Sequence, residues 1–350
     1  MRLHVGLRCD GGAAIGVGHL VRCLALADEL LARGQQVTMI GDLGGVSWVQ
    51  EQVRERGLAP IEGPADADGL ATLALGLGLD AMVLDGYHLD AGSGAALRAA
   101  GVTVLAISDG PFGAGQRADI VLDQNLGATA DPDRDGTTLL GLDYVLFRDQ
   151  VLRHRRAVGT PVPLGPTLRV LTVFGGTDAN AAAPVVVPLV LAAGGPVHVV
   201  AVAALPEIAV QLEALQTGPG QRLEIVAPVA DLAALAASCD LAVTAAGTSV
   251  WEFLCLGVPA ALVCVADNQG VGYEAVSQRG VAVPVGHLSA LREDASARHD
   301  CVVALRRLLD DPDALSALAR RGQALVDGRG RERVADALEY PYHRRDRPRG

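Results

Sequence analysis

The sequence contains no lysine: all 29 basic side chains among its 350 residues are arginines. That absence excludes P-loop phosphate chemistry, Schiff-base catalysis and a protein-kinase lysine. Aromatic residues make up only 3% of the chain, so the core has to be built from Leu, Val and Ala, and stacking platforms for single-stranded nucleic acid are excluded. Positive charge is scarce as well. Forty acidic residues against 29 basic ones leave a formal charge of −11, the wrong sign for a phosphate-backbone binder, so nucleic acid is not an expected partner. The six cysteines, Cys9, Cys23, Cys239, Cys255, Cys264 and Cys301, show no C-x-x-C spacing and read as buried free thiols of a reducing compartment. No apolar run reaches the roughly 18–20 residues of a membrane span without a charge, Gly or Pro, and Met1-Arg2-Leu3-His4-Val5 has no signal-peptide core. Stable membrane insertion is therefore not expected, and a cytoplasmic location is. The eight histidines offer no H-E-x-x-H and no carboxylate at metal spacing, and no G-x-S-x-G occurs, so neither a metal nor a cofactor is expected.

What is abundant is apolar residue and glycine. Half the residues are hydrophobic, with 42 glycines and 18 prolines, the composition of an α/β protein with a large core. Strands predicted at Leu3–Arg8, Gln36–Ile40, Ala81–Leu84 and Val102–Ile107 alternate with helices near His19–Ala32, Ser47–Arg56 and Ala91–Ala100, which means parallel βαβ units. Residues 153–167, with Pro161, Pro163 and Pro166, read as a linker between domains at 1–152 and 168–328. Beyond it the alternation restarts at Leu168–Phe174, Val197–Val202, Leu223–Val226, Leu241–Thr244 and Ala260–Val265. Arg292–Asp313 reads as solvated helix faces. Residues 329–350 read as a helix end followed by an Arg-rich solvated tail from Pro341.

Four strand-to-helix turns could carry chemistry. The loop from Arg8 through Asp10, Gly11, Gly12, Gly16 and Gly18 to His19 brings backbone N–H groups and a helix start to one place. Its spacing is not G-x-G-x-x-G, so a dinucleotide site is disfavoured. His19 at the helix start meets the positive end of the dipole, which keeps an imidazole neutral and able to accept a proton; the plain alternative is a structural or exposed loop histidine. Asp85-Gly86-Tyr87-His88 follows a strand on the same sheet edge, or is an ordinary turn in which Asp85 satisfies backbone donors. Ala246-Gly247-Thr248-Ser249-Val250-Trp251-Glu252 suits a diphosphate: Gly247 permits close approach, Thr248 and Ser249 can cap the helix or donate hydroxyls, and Glu252 can accept from a ribose diol. A simple N-cap with a solvent-facing glutamate is the alternative. Phe174-Gly175-Gly176-Thr177-Asp178 repeats the device.

The ordered set Arg8-x-Asp10, Ile15-Gly16-x-Gly18-His19, Arg22-Cys23-Leu24-x-Leu26-Ala27, Asp85-x-Tyr87, Asp119-x-Val121-Leu122-Asp123-Gln124-Asn125, Gly141-x-x-Tyr144, Gly175-Gly176-x-Asp178-x-Asn180, Gly247-Thr248-Ser249-x-x-Glu252 and Asn268-Gln269 resembles the UDP-sugar hydrolases of pseudaminic acid biosynthesis and the related spore-coat polysaccharide proteins. The resemblance runs over residues 3 to 325. It implies two Rossmann-like α/β domains with parallel sheets facing across a cleft, as in GT-B glycosyltransferases. It further implies that His19 activates water, that Tyr87 and Asn268 lie near the sugar, and that Gly247, Thr248 and Ser249 hold the diphosphate with Glu252 on the ribose. Asp10, Gly18, Arg22, Gly176 and Gln269 are implied to bind substrate. The implied reaction is metal-free hydrolysis of a UDP-diacetamido-trideoxyhexose at its anomeric C–O bond, with Arg8 and Arg22 available to meet leaving-group charge.

Two other classes share this pattern. A glycosyltransferase with a UDP-sugar donor would use the same base on an acceptor hydroxyl, and for a lipid-linked acceptor would want an apolar membrane-facing patch, for which Gly44-Gly45-Val46-Ser47-Trp48-Val49 is the weak candidate. A silent nucleotide-sugar-binding protein would be expected to have lost His19. The oligomeric state is not legible in the sequence.

Overall fold

The computed structural model describes residues 2–12, 17–45, 47–109, 115–133, 135–158 and 165–345. Contacts divide the chain into two compact units, Met1–Asp149 with Gly328–Gly350, and Gln150–Asp327. Residues 159–164 of the expected linker lie outside the described residues; before them, Asp149–His154 is helical.

The first unit holds a six-stranded parallel sheet of β1 (His4–Cys9), β2 (Gln36–Ile40), β3 (Ala81–Asp85), β4 (Thr103–Ile107), β5 (Ile120–Asp123) and β6 (Thr137–Leu140) in the order 2-1-3-4-5-6. Its central strands are apolar without alternation, as in Ala81-Met82-Val83-Leu84, because helices cover both faces of a parallel sheet. Leu7, Leu20, Leu24 and Leu30 pack on one face, and Leu70, Met82, Leu97 and Val104 on the other. Close packing demands small residues locally: a Cβ on Gly94 would lie 2.3 Å from the Arg117 carbonyl oxygen.

The second unit carries β7 (Leu168–Val173), β8 (Val197–Val202), β9 (Arg222–Val226), β10 (Leu241–Ala245), β11 (Ala260–Cys264) and β12 (Val283–His287), all parallel, in the order 12-11-10-7-8-9. Numbered within the unit this is 6-5-4-1-2-3, the strand order of a dinucleotide-type Rossmann sheet. In each unit the strand order reverses beside the first strand, between β1 and β3 and between β7 and β10. Ligands of open parallel sheets bind beyond the carboxyl ends of the strands at such a reversal.

One sequence expectation holds and one changes. The charged residues of Arg292–Asp313 lie on solvated helix faces as expected, while the opposite faces of the helices Ala295–Leu309 and Pro312–Leu325 bury Cys301, Leu305, Leu308 and Leu315. Arg306 donates to the Ala193 carbonyl at 2.7 Å, just past the end of the helix Ala183–Ala192, where a helix leaves carbonyls unpaired. The expected tail is helical as far as Arg345, in a helix that starts at Gly330 and buries Val334, Ala335 and Leu338 in the core of the first unit. All six cysteines are free and buried. Among the described residues no helix is long and apolar enough to cross a membrane.

Candidate active site

The loops after β1 and β3 meet where the first sheet reverses. Asp85 is the last residue of β3 and is fully buried. His19 opens the helix Gly18–Ala32 and presents Nδ1 to Asp85 Oδ1 at 2.6 Å. Arg22 stands one turn later, on the same helix face as His19. Its Nε and Nη2 each reach an Asp85 oxygen at 2.6 Å, closing a two-pronged ion pair. The buried Asp85 is thus satisfied by side chains, not by the backbone donors that a turn residue would use.

This arrangement fixes the imidazole tautomer. A carboxylate oxygen 2.6 Å from a bare ring nitrogen would be repelled, so the proton between them sits on Nδ1. The 3.1 Å approach of Arg22 Nη2 to the same nitrogen is then a packing contact. In the neutral ring Nε2 is then the nitrogen with the lone pair, the form a general base requires. Burial by itself would raise the Asp85 carboxyl, but the charge of Arg22 and the hydrogen bonds from Arg22 and His19 outweigh it and hold the group below the ordinary carboxylate range. Burial likewise works against the Arg22 cation, and Asp85 and Asp109 more than compensate.

Asp109, two residues beyond β4, extends the network. It accepts from Arg22 Nη1 at 3.1 Å, from Asn125 Nδ2 at 3.1 Å and from the Tyr87 hydroxyl at 2.5 Å. Tyr87 is 54% exposed, and its ring meets that of His19 at right angles, centroids 4.7 Å apart. Burial and the Asp109 carboxylate push the Tyr87 phenol upward, so it stays protonated with its hydrogen directed at Asp109. The guanidinium of Arg22 is 7% exposed and divided between two carboxylates, which makes it a brace for His19.

A second polar cluster lies on the same edge. Asp10 accepts from Arg8 Nη1 and the Asp42 amide at 2.7 Å and pairs with His88 Nε2 at 2.5 Å. Burial opposes the Asp10 charge, but these hydrogen bonds and the Arg8 cation bring the carboxyl below its ordinary range. Gly18 contributes the first residue of the His19 helix. Residues 13–16 of that loop lie outside the described residues.

In the second unit, the turns after β7, β10 and β11 belong to adjacent strands. Gly176 stands in the turn after β7, where Asp178 adopts φ 47° and Ala181 φ 44°. Asp178 is buried and accepts from the Ala182 and Ala183 amides at 2.8 and 2.9 Å, fixing the entry to the next helix. Gly247 and Thr248 lead into the helix Ser249–Leu256, whose first turn carries Glu252. Thr248 occupies the N-cap position but makes no side-chain cap bond, contrary to the capping role open to it in the sequence. Gln269 accepts from the Val265 amide at 3.2 Å, and a Cβ on Gly247 would lie 3.7 Å from its Nε2. Asn268 belongs to the short turn Asp267–Gln269; its side chain lies outside the description.

The structure joins His19, Arg22 and Tyr87 in one network, sets Asp10 in a neighbouring one, and gathers Gly176, Gly247, Thr248, Ser249, Glu252 and Gln269 at the carboxyl edge of the other sheet. Sequence reasoning missed Asp109, the group that ties Tyr87 to Arg22. Its signal was positional: it follows β4 as Asp85 ends β3. Among the described residues no group of three or more His, Cys, Asp or Glu side chains is placed to hold a metal ion.

Two parallel six-stranded sheets of Rossmann type, each with helices on both faces, define the GT-B fold. The solved structures similar to this chain agree: MurG of Acinetobacter baumannii (TM-score 0.70, 18% identity, 97% of this chain and 99% of that one) and a UDP-N-acetylglucosamine 2-epimerase described as putative from Listeria monocytogenes (0.69, 14%, 99% of each). The Anabaena protein Alr3699/HepE, solved with UDP, matches with TM-score 0.64 and 13% identity over 97% of this chain and all of that one. No family model matches the chain. Among curated proteins, the spore coat polysaccharide biosynthesis protein SpsG of Bacillus subtilis is 29% identical over 112 residues. That match spans about a third of each protein, 32% of this chain and 32% of SpsG.

Proposed function

We propose that the protein is a UDP-sugar hydrolase that releases UDP and a free sugar by attack of water at the anomeric carbon. The observation that carries this reading is the buried Asp85 holding His19 in the base-competent tautomer. In the proposed step Nε2 takes a proton from water as its oxygen bonds to the anomeric carbon, and the bond from that carbon to the diphosphate oxygen breaks. Asp85 stabilises the imidazolium, which then returns its proton to solvent. The leaving diphosphate is assigned to the Gly247–Ser249 turn, where helix-opening amides and the uncapped Thr248 hydroxyl favour an anion, with Glu252 on the ribose. Tyr87 packs the base, and Asn268 is assigned to the sugar. The fold of the UDP-bound neighbour and the partial likeness to SpsG support a nucleotide-sugar substrate. The sequence resemblance supports the 2,4-diacetamido-2,4,6-trideoxy-β-L-altropyranose form.

The test is UDP release from a panel of UDP-sugars without acceptor. Hydrolysis of a diacetamido sugar is expected, and His19→Ala should lower kcat about 10²–10⁴-fold, the usual weight of a general base, with UDP affinity unchanged. A large loss of UDP binding in that variant contradicts the base assignment. The second reading, a glycosyltransferase, is favoured by the fold shared with MurG and by Trp48, 46% exposed in the helix Ser47–Glu55. UDP release only after an acceptor is supplied selects it.

A further inference from the structure

Cys23 stands four residues after His19 on the helix Gly18–Ala32, fully buried, and its thiol donates to Asp85 Oδ2 at 3.6 Å. We propose that Cys23 is a positioning residue for the base: its S–H group steadies the Asp85 carboxylate and draws off part of its charge, which sets the pH at which His19 loses its proton. The inference deepens the hydrolase reading above and rests on it.

The occupancy of one carboxylate carries the argument. An ionised carboxylate offers about four lone-pair sites, two on each oxygen. Asp85 Oδ1 receives His19 Nδ1 and Arg22 Nη2, both at 2.6 Å, while Oδ2 receives Arg22 Nε at 2.6 Å and the Cys23 thiol. His19, Arg22 and Cys23 are spaced i, i+3 and i+4, so one helix face delivers all four donors. An apolar side chain at position 23 would leave the last site on Oδ2 against hydrocarbon, which is costly for a charged group shut off from water. Cys9 backs the thiol from the sheet. It is the register partner of Asp85 across β1 and β3, and its sulfur lies within hydrogen-bonding reach of Cys23. The Cys23 hydrogen is spent on Asp85, so the Cys9 hydrogen serves that second contact. The bond to Cys9, burial and the Asp85 charge push the Cys23 thiol well above its ordinary range, so it keeps its proton and remains a donor.

A buried cysteine is otherwise a small hydrophobe. Cys239 and Cys264 give their hydrogens to the backbone carbonyls of Leu235 and Ala266, whereas Cys23 addresses the carboxylate that holds the base. The sign of its effect follows from charge. A neutral donor on Oδ2 lowers the electron density that Asp85 offers to the Nδ1 proton, so the His19 imidazolium is stabilised less and the ring deprotonates at lower pH. The other groups around the imidazole stay the same when only residue 23 is changed: Arg22 on its own helix, Tyr87 after β3, and Asp109 after β4, which reaches the ring through Arg22.

The test reads His19 directly. Its titration is followed by NMR through the Cε1 proton, assigned by the loss of that signal in His19→Ala, and compared in wild type, Cys23→Ala and Cys23→Ser. Alanine and serine are nearly equal in size and differ in the donor. The expected result is a rise of the His19 pKa by about 0.3–0.7 unit in Cys23→Ala, the weight of one S–H···O bond, and a value at or below wild type in Cys23→Ser. The acid limb of kcat/KM for UDP release should move with it. Equal His19 values in the two variants, or no rise in Cys23→Ala, overturn the proposal and leave Cys23 a packing residue. Should truncation unfold the protein, Cys23→Val and Cys23→Thr fill the site and repeat the comparison, with the rise expected in Cys23→Val alone. A panel of UDP-sugars that yields no UDP overturns the hydrolase reading, and the NMR comparison still decides whether Cys23 acts on Asp85 and His19.

Discussion

At the scale of single residues, the network proposed to work in the first unit is a chain of ionic hydrogen bonds running from His19 through Asp85 and Arg22 to Asp109 and Tyr87. Asp85→Asn removes the charge that selects the tautomer and stabilises an imidazolium, so kcat should fall about 10²–10⁴-fold with little change in UDP affinity. Arg22 keeps Asp109 as partner, which confines the folding cost to about 1–3 kcal/mol, as for a buried group left partly unsatisfied. The sign of the pH effect follows from the direction of the Asp85 shift. Its folded carboxyl titrates below the unfolded one, so the unfolded chain binds more protons in that window. The stabilisation is present above the ordinary aspartate value of about 4 and disappears as pH falls through the lower folded value. Asp178 and Asp240, raised by burial, act in the opposite sense but are common to both proteins. Urea midpoints measured between pH 3 and 6 should therefore decline less steeply with acid in Asp85→Asn than in wild type, and parallel slopes contradict the assignment. His19 and Arg22 were legible because helical spacing and glycine context are local. The partnership with Asp85, 63 residues from Arg22, was not, since it arises only when β3 is laid beside β1.

At the scale of elements, the buried strands were readable because unbroken Val, Leu and Ala runs between glycines leave few alternatives. Gln36–Ile40 and Val197–Val202 coincide with their predicted spans, and Ala81–Leu84 needed only Asp85 added. The short edge strand Thr137–Leu140 gave no comparable signal, with two threonines and a half-exposed face. The arginines of Arg292–Asp313 lie on solvated helix faces as the sequence suggested, and Arg306 in addition binds another helix's carbonyl, a partner no local pattern announces. One packing contact here bears on the turn proposed to hold the diphosphate. Gly322, in the helix Pro312–Leu325, faces the helix Ser249–Leu256 so closely that a Cβ would lie 3.2 Å from Leu254 Cα and 2.9 Å from its Cδ2. Gly322→Ala should cost about 1–3 kcal/mol by overpacking and weaken UDP binding by displacing the helix that opens at Ser249. Gly76→Ala, in the exposed face of the helix Ala67–Leu77 with nothing within 4 Å of the new methyl, should instead gain about 0.5–1 kcal/mol and leave UDP binding alone. Denaturation midpoints and UDP titrations of the two variants check the contrast.

At the scale of the whole molecule, the chain leaves the first unit after Asp149, builds the second, and returns at Gly328 to finish the first. The returning helix Gly330–Arg345 is therefore part of a core that began more than three hundred residues earlier, a relation no local pattern in the sequence could announce. Val334, Ala335 and Leu338 are fully buried against the cluster that contains Leu20, Leu24 and Leu30. Around them Arg33 binds Glu29 at 2.8 Å, Asp336 at 2.6 Å and Glu339 at 2.9 Å, and Gln35 donates to Glu339 at 2.8 Å. Those ion pairs are partly exposed, so most of the stabilisation comes from the apolar face. Leu338→Ala should accordingly cost about 2–5 kcal/mol, as large-to-small changes in cores do. Because the loss falls on the first unit, limited proteolysis of that variant should cut within residues 1–149 before residues 150–327. First cuts in the second stretch would show that the returning helix does not stabilise the half carrying His19.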